Sequence, residues 1–117
     1  MEILIILNDA PYGVERTFQG LRLADALIRS GEEDLDLTVY LTNDAVACAR
    51  RGQKTPQGYY NVERMLHPLI RKGTVLACRT CAEARGLEEA EMIEGVRKAR
   101  LGELAQLVLE ADKVLVY

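Results

Sequence analysis

A chain of 117 residues with 49% hydrophobic and 28% charged residues suits one soluble globular domain, residues 1–117, that buries a core without covalent staples. Its formal net charge of −3 supplies no basic field for direct nucleic-acid or anionic-membrane binding, and with no Trp and one Phe it lacks a base-stacking platform. No run of about 18 apolar residues occurs, so no membrane span is expected.

Ile3 to Leu7 is a continuous β-branched and Leu run, the pattern of a strand covered on both faces. The run from Met1 is too short for the apolar part of a secretion signal and carries Glu2 where such signals carry a base. Turn residues Asn8-Asp9-Ala10-Pro11-Tyr12-Gly13 end it. From Val14 to Ser30, the spacing of Phe18, Leu21, Ala24, Leu27 and Ile28 predicts a helix stopped by Gly31. Leu35 to Leu41 is a second strand. Thr42 or Asn43 then caps a short helix that reaches Arg51 and ends at Gly52.

Residues 53–60 have no periodicity and form a loop. Val62, Met65, Leu66, Leu69 and Ile70 then mark a helix that Pro68 is expected to kink or split. Thr74 to Ala77 is a third strand, Cys78 to Arg85 a short helix ended by Gly86, and Met92-Ile93 a weak fourth strand. Leu101, Leu104, Ala105 and Val108 set the apolar face of a last helix, and Lys113 to Tyr117 is a closing strand. This alternation predicts an α/β fold: a mostly parallel sheet with helices on both faces. Ligand crevices in such folds lie at the carboxyl ends of the strands, which brings residues 8–13, 42–44 and 78–81 together.

Three cysteines, odd in number and unevenly spaced, argue against a disulfide scaffold and for a reducing, cytoplasmic setting. Two form the pair Cys78-Arg79-Thr80-Cys81. Cys78 follows a strand and enters a helix, where free N–H groups and the helix dipole favour a thiolate, and Arg79 adds a positive neighbour. Cys81 shares its helical face and lies within disulfide reach. A nucleophilic Cys78 with Cys81 as resolving partner is one reading; two buried small hydrophobes is the other.

The remaining candidates carry less. Zinc needs two further ligands, and only Cys48 and His67 remain, neither in a ligand-spaced pair, so no metal is expected. His67 reads as a surface residue and Cys48 as core. With one glycine, residues 8–13 are neither a dinucleotide fingerprint nor a P-loop, so no cofactor is expected; Pro11, Tyr12 and Gly13 make a turn or wall a pocket. Arg50, Arg51 and Lys54 are a solvated helix end or a greeting for an anionic partner.

The ordered set Asn8 to Gly13, Leu21-Arg22-Leu23-Ala24, Asp44-Ala45-Val46, Arg51-Gly52-Gln53-Lys54, Gly58-Tyr59-Tyr60-Asn61, Cys78-Arg79-Thr80-Cys81, Ala84-Arg85-Gly86 and Ala111-Asp112-Lys113-Val114-Leu115 resembles the DsrE/DsrF-like family, in particular its YchN-type members. The resemblance spans essentially the whole chain. It implies a three-layer α/β/α sandwich around a five-stranded, mainly parallel sheet, and assembly as a homotrimer or hexamer. Relatives work in sulfur oxidation and in the sulfur relay for tRNA thiolation, where a cysteine passes sulfur between proteins as a persulfide. Cys78 matches that cysteine. Some relay relatives lack the second cysteine, which leaves Cys81 as a helper.

The leading expectation is therefore a sulfur carrier or sulfurtransferase-like protein with sulfur donor and acceptor proteins as partners. A thiol–disulfide oxidoreductase or redox sensor using the same pair is the alternative. A non-catalytic oligomeric binding module with silent cysteines is the third. Tyr59 and Tyr60 offer a contact surface for assembly, or are ordinary loop aromatics.

Overall fold

The structure is a computed structural model that describes residues 1–117. Its strands are β1 (Glu2–Leu7), β2 (Asp36–Leu41), β3 (Thr74–Cys78), β4 (Arg97–Ala99) and β5 (Lys113–Val116). They form one sheet in the order β4-β3-β2-β1-β5, every pairing parallel. Its helices are α1 (Arg16–Arg29), α2 (Val62–Lys72), α3 (Arg79–Ala84) and α4 (Leu101–Glu110). The parallel sheet with helices on both faces expected from the alternation is present, as is the three-layer α/β architecture that the resemblance implied.

Strand alternation divides the core between the two faces. Ile3, Ile5 and Leu7 of β1, Leu37, Val39 and Leu41 of β2, and Val75 and Ala77 of β3 point to one side. There they meet Leu21 and Ala24 of α1 and Val62, Leu66 and Leu69 of α2. Leu4, Tyr40, Leu76 and Ala99 point to the other side and are covered by Leu104, Leu107 and Ala111 in and after α4. Cys78, at the end of β3, touches both clusters.

Close approach of α1 to the sheet depends on Gly20. A Cβ there would lie 2.5 Å from Leu7 Cδ2 and 3.2 Å from the Tyr117 ring.

Several expectations are corrected. Pro68 does not split α2, which runs unbroken through it. The burial of Leu66 and Leu69 on either side of the missing donor keeps one element intact. The segment after β2 is a 3₁₀ helix over Asn43–Ala49 rather than an α-helix, and the Thr42 side chain makes no cap bond. Residues 53–60 include a 3₁₀ turn at Pro56–Gly58.

The fourth strand is Arg97–Ala99, not Met92-Ile93. Met92 forms only an antiparallel bridge with Arg50, while Met92, Ile93 and Val96 fill the core from a loop. The inward face of α4 is Leu104 and Leu107; Leu101 is 77% exposed.

Candidate functional site at the strand ends

Because β1, β2 and β3 are parallel neighbours, the segments that follow them converge at the carboxyl end of the sheet. Asn43 Nδ2 donates to Asn8 Oδ1 at 2.9 Å, and Asn8 Nδ2 donates to the Tyr117 carbonyl at 2.9 Å. Residues 8, 43 and 78–81, expected to meet, do so.

All three cysteines are free thiols. Cys78 is both the last residue of β3 and the N-cap of α3, and its Sγ accepts the Cys81 backbone N–H at 3.4 Å. A thiol thus takes the place that Ser or Asp commonly fills at a helix start. Cys81 lies one turn on, half-buried. Its Sγ accepts the Asn43 backbone N–H at 3.2 Å and lies 3.6 Å from Thr42 Oγ1.

Asn43 has φ of +52°, a left-handed conformation that Asn tolerates better than most residues. That turn directs its amide at the sulfur of a residue 38 positions away.

Electrostatics at the pair differ from the expectation that favoured Cys78. Burial works against ionisation of Cys81, but hydrogen bonds from Cys78, from Thr42 and from the Asn43 amide, with the charge of Arg85, together hold it below the ordinary thiol value. Arg85 is itself fixed: Nε and Nη2 donate to Asp44 Oδ1 at 3.1 and 2.8 Å, and Nη1 donates to the Cys81 carbonyl at 3.0 Å. It clamps α3 to the segment that carries Asn43.

Residues 42–44 were expected at this crevice but given no role there, and Arg85 was not singled out. Only their position after a strand end, or after the cysteine pair, signals them in sequence.

On the other side of Cys78 lies Tyr40 of β2, 1% exposed, with a hydroxyl that has no hydrogen-bond partner. Burial first, then the neighbouring Cys78, pushes its phenol up to about 12. Arg79 Nε is also buried without a partner.

The other candidates fall outside this cluster. Cys48 is fully buried and burial pushes its thiol up to about 12, which makes it an inert core residue. His67 is exposed on α2 beside Arg51, Glu63 and Arg71. No three His, Cys, Asp or Glu side chains gather as metal donors. Two of the three cations offered for an anionic partner are engaged: Arg50 pairs with Glu91 at 2.7 Å and Arg51 donates to the Ala90 carbonyl at 2.7 Å. Pro11, Tyr12 and Gly13 do wall a cleft of about 490 Å³, with Val14, Phe18 and Tyr60. No helix is long and apolar enough to cross a membrane.

Comparison with known proteins gives one consistent match. The model of the DsrE/DsrF-like family matches residues 1–117. Protein YchN of Escherichia coli is 46% identical over 117 residues, covering 99% of this chain and 98% of that protein. An uncharacterised protein of Methanocaldococcus jannaschii is 32% identical over 118 residues, covering all of both chains. The crystal structure of YchN superposes with a TM-score of 0.92 and 46% identity over 99% of this chain and 98% of that one. A Methanobacterium thermoautotrophicum protein of unknown function matches at 0.77 and 16% identity, over 99% of this chain and 97% of that one, and shares the fold.

Proposed function

This chain belongs to the DsrE/DsrF-like family, and we propose that it carries sulfane sulfur as a persulfide on Cys78 and that Cys81 discharges it. The observation that supports this most is the pairing of two free, half-buried thiols across one turn, with Cys81 Sγ receiving the Asn43 amide.

Loading is a sulfur transfer in which the Cys78 thiolate attacks the outer sulfur of a donor persulfide. The Cys78–S to outer-sulfur bond forms, the donor S–S bond breaks, and the donor leaves as its thiolate. Delivery to an acceptor thiolate repeats the exchange in the outward direction. Where no acceptor takes the sulfur, the Cys81 thiolate attacks the inner sulfur of Cys78–S–SH. A Cys78–Cys81 disulfide forms and hydrosulfide leaves, so electrons balance without an outside oxidant. A lowered Cys81 suits that role, because the attacking species is the thiolate.

Sulfur donor and acceptor proteins are the partners this proposal requires, and assembly as a homotrimer or hexamer belongs to it. Intact-mass measurement after incubation with a low-molecular-mass persulfide donor tests it. Wild type should gain one sulfur atom, Cys78→Ser none, and Cys81→Ser should gain it and hold it longer. Equal addition to Cys78→Ser would contradict the assignment.

A thiol–disulfide oxidoreductase is the second reading, favoured by the same lowered Cys81. It predicts a reversible Cys78–Cys81 disulfide in the absence of any sulfur donor and no persulfide in its presence.

A further inference from the structure

We propose that Tyr40 is the hydrogen-bond donor that holds the outer, anionic sulfur of the Cys78 persulfide. The inference rests on the sulfur-carrier reading above and names a residue and an atom that the reading does not.

Strand register places the two side chains together. Tyr40 pairs with Leu76 across β2 and β3, and Cys78 lies two residues beyond Leu76 on the same strand. Period-two alternation puts Tyr40, Leu76 and Cys78 on one face, and diagonal neighbours in a sheet are within reach of an aromatic side chain. Tyr40, Leu76 and Cys78 do pack in one cluster.

A buried hydroxyl without a partner is costly, and such groups are nearly always satisfied. The Tyr40 hydroxyl is buried and unsatisfied. Phe would fill the same space without that cost, so the oxygen calls for an acceptor. Ionisable groups near it are Cys78, Cys81 and Glu103.

Glu103 is taken, since it pairs with Arg97 at 2.9 Å and accepts the Arg100 backbone N–H at 3.5 Å. Cys81 Sγ is turned toward Asn43 and Thr42. Cys78 remains.

The Tyr40 hydroxyl makes no hydrogen bond of standard geometry, yet the Cys78 side chain is near enough to act on it, and an S–S bond adds about 2 Å to that side chain's reach. The atom added by loading is also the acceptor that the site lacks. The phenol keeps its proton throughout: a value near 12 makes it a donor and not an acid at neutral pH. The step it favours is loss of a proton from Cys78–S–SH to solvent, giving Cys78–S–S⁻.

Tyr40→Phe tests this, since it removes one oxygen and leaves the ring in place. The variant should melt at or above the wild-type temperature, because the lost hydroxyl had no partner. Loaded with the same persulfide donor, it should show a persulfide whose alkylation begins at higher pH. At neutral pH that alkylation should be slower by about tenfold, the size expected for a hydrogen bond to a charged group. Alkylation of the unloaded Cys78 thiol should keep its wild-type pH profile.

An unchanged persulfide profile in a protein that does load sulfur would overturn the role of Tyr40 and leave the carrier reading standing. An equal shift in the unloaded thiol would also overturn it, by placing the hydrogen bond on Sγ. Failure of wild type to take up sulfur would remove the carrier reading itself.

A measurement on the native sequence adds an independent check. With 3-fluorotyrosine in place of the five tyrosines, the fluorine resonance missing from Tyr40→Phe should move when wild type is loaded. Its standing still would count against the contact.

Discussion

Cys78, Cys81 and Cys48 share one chemistry and differ in what surrounds each sulfur. Cys48 is fully buried in the apolar core, and that burial pushes it up to about 12. Cys81 is also penalised by burial, yet it collects the Asn43 amide, the Thr42 hydroxyl, the Cys78 thiol and the charge of Arg85, and the donors win. A lowered value means that the thiolate is present at lower pH, so Cys81 should react with iodoacetamide on the acid side of the ordinary thiol range. Site-resolved mass spectrometry across pH reads this directly. Cys48 should stay unmodified in the folded protein. Thr42→Val keeps the shape of the side chain and removes its hydroxyl, and should move the Cys81 profile to higher pH. No movement would show that the Thr42 contact at 3.6 Å contributes nothing.

Elements set these distances. The turn from α2 into β3 passes so close to β2 that a Cβ on Gly73 would lie 2.6 Å from the Leu37 carbonyl oxygen. Backbone cannot swing aside as a side chain does, so Gly73→Ala should destabilise the fold by about 1–3 kcal/mol in urea unfolding. A neutral result would mean that β3 has freedom to shift. Such freedom would also loosen Cys78, which ends that strand.

Strands β1, β2, β3 and β5 were legible in sequence because their apolar runs are bounded by turn residues. So was the convergence of their following segments, which needs only parallel pairing. β4 was hidden: a three-residue edge strand with one fully buried residue, Ala99, carries no hydropathy signal. Met92 and Ile93 misled for the converse reason, since their apolar character serves a core-filling loop. Cys78 and Cys81 were legible from their spacing. What favours the Cys81 thiolate was not, because Thr42 and Asn43 lie 39 and 38 positions away and act through a backbone turn at φ +52°.

The molecule as a whole is lopsided. One sheet face lies under α1 and α2, while the other is covered mainly by α4, none of whose residues is fully buried. Leu101 and Leu109 of α4 stand 77% and 79% exposed, and Val116 of the edge strand β5 is 64% exposed. Exposed apolar groups on a helix surface and on an open edge strand favour association. The proposed trimer or hexamer would cover them. Light scattering should give a mass several times that of one chain, and Leu109→Glu should shift it toward smaller species. A monomer at every concentration would contradict the assembly.

Sulfur carriage on Cys78 is read by the donor challenge followed by intact mass. Wild type should carry one added sulfur atom, Cys78→Ser none, and Cys81→Ser a longer-lived adduct. Wild type that gains no sulfur, or Cys78→Ser that gains as much as wild type, would contradict it.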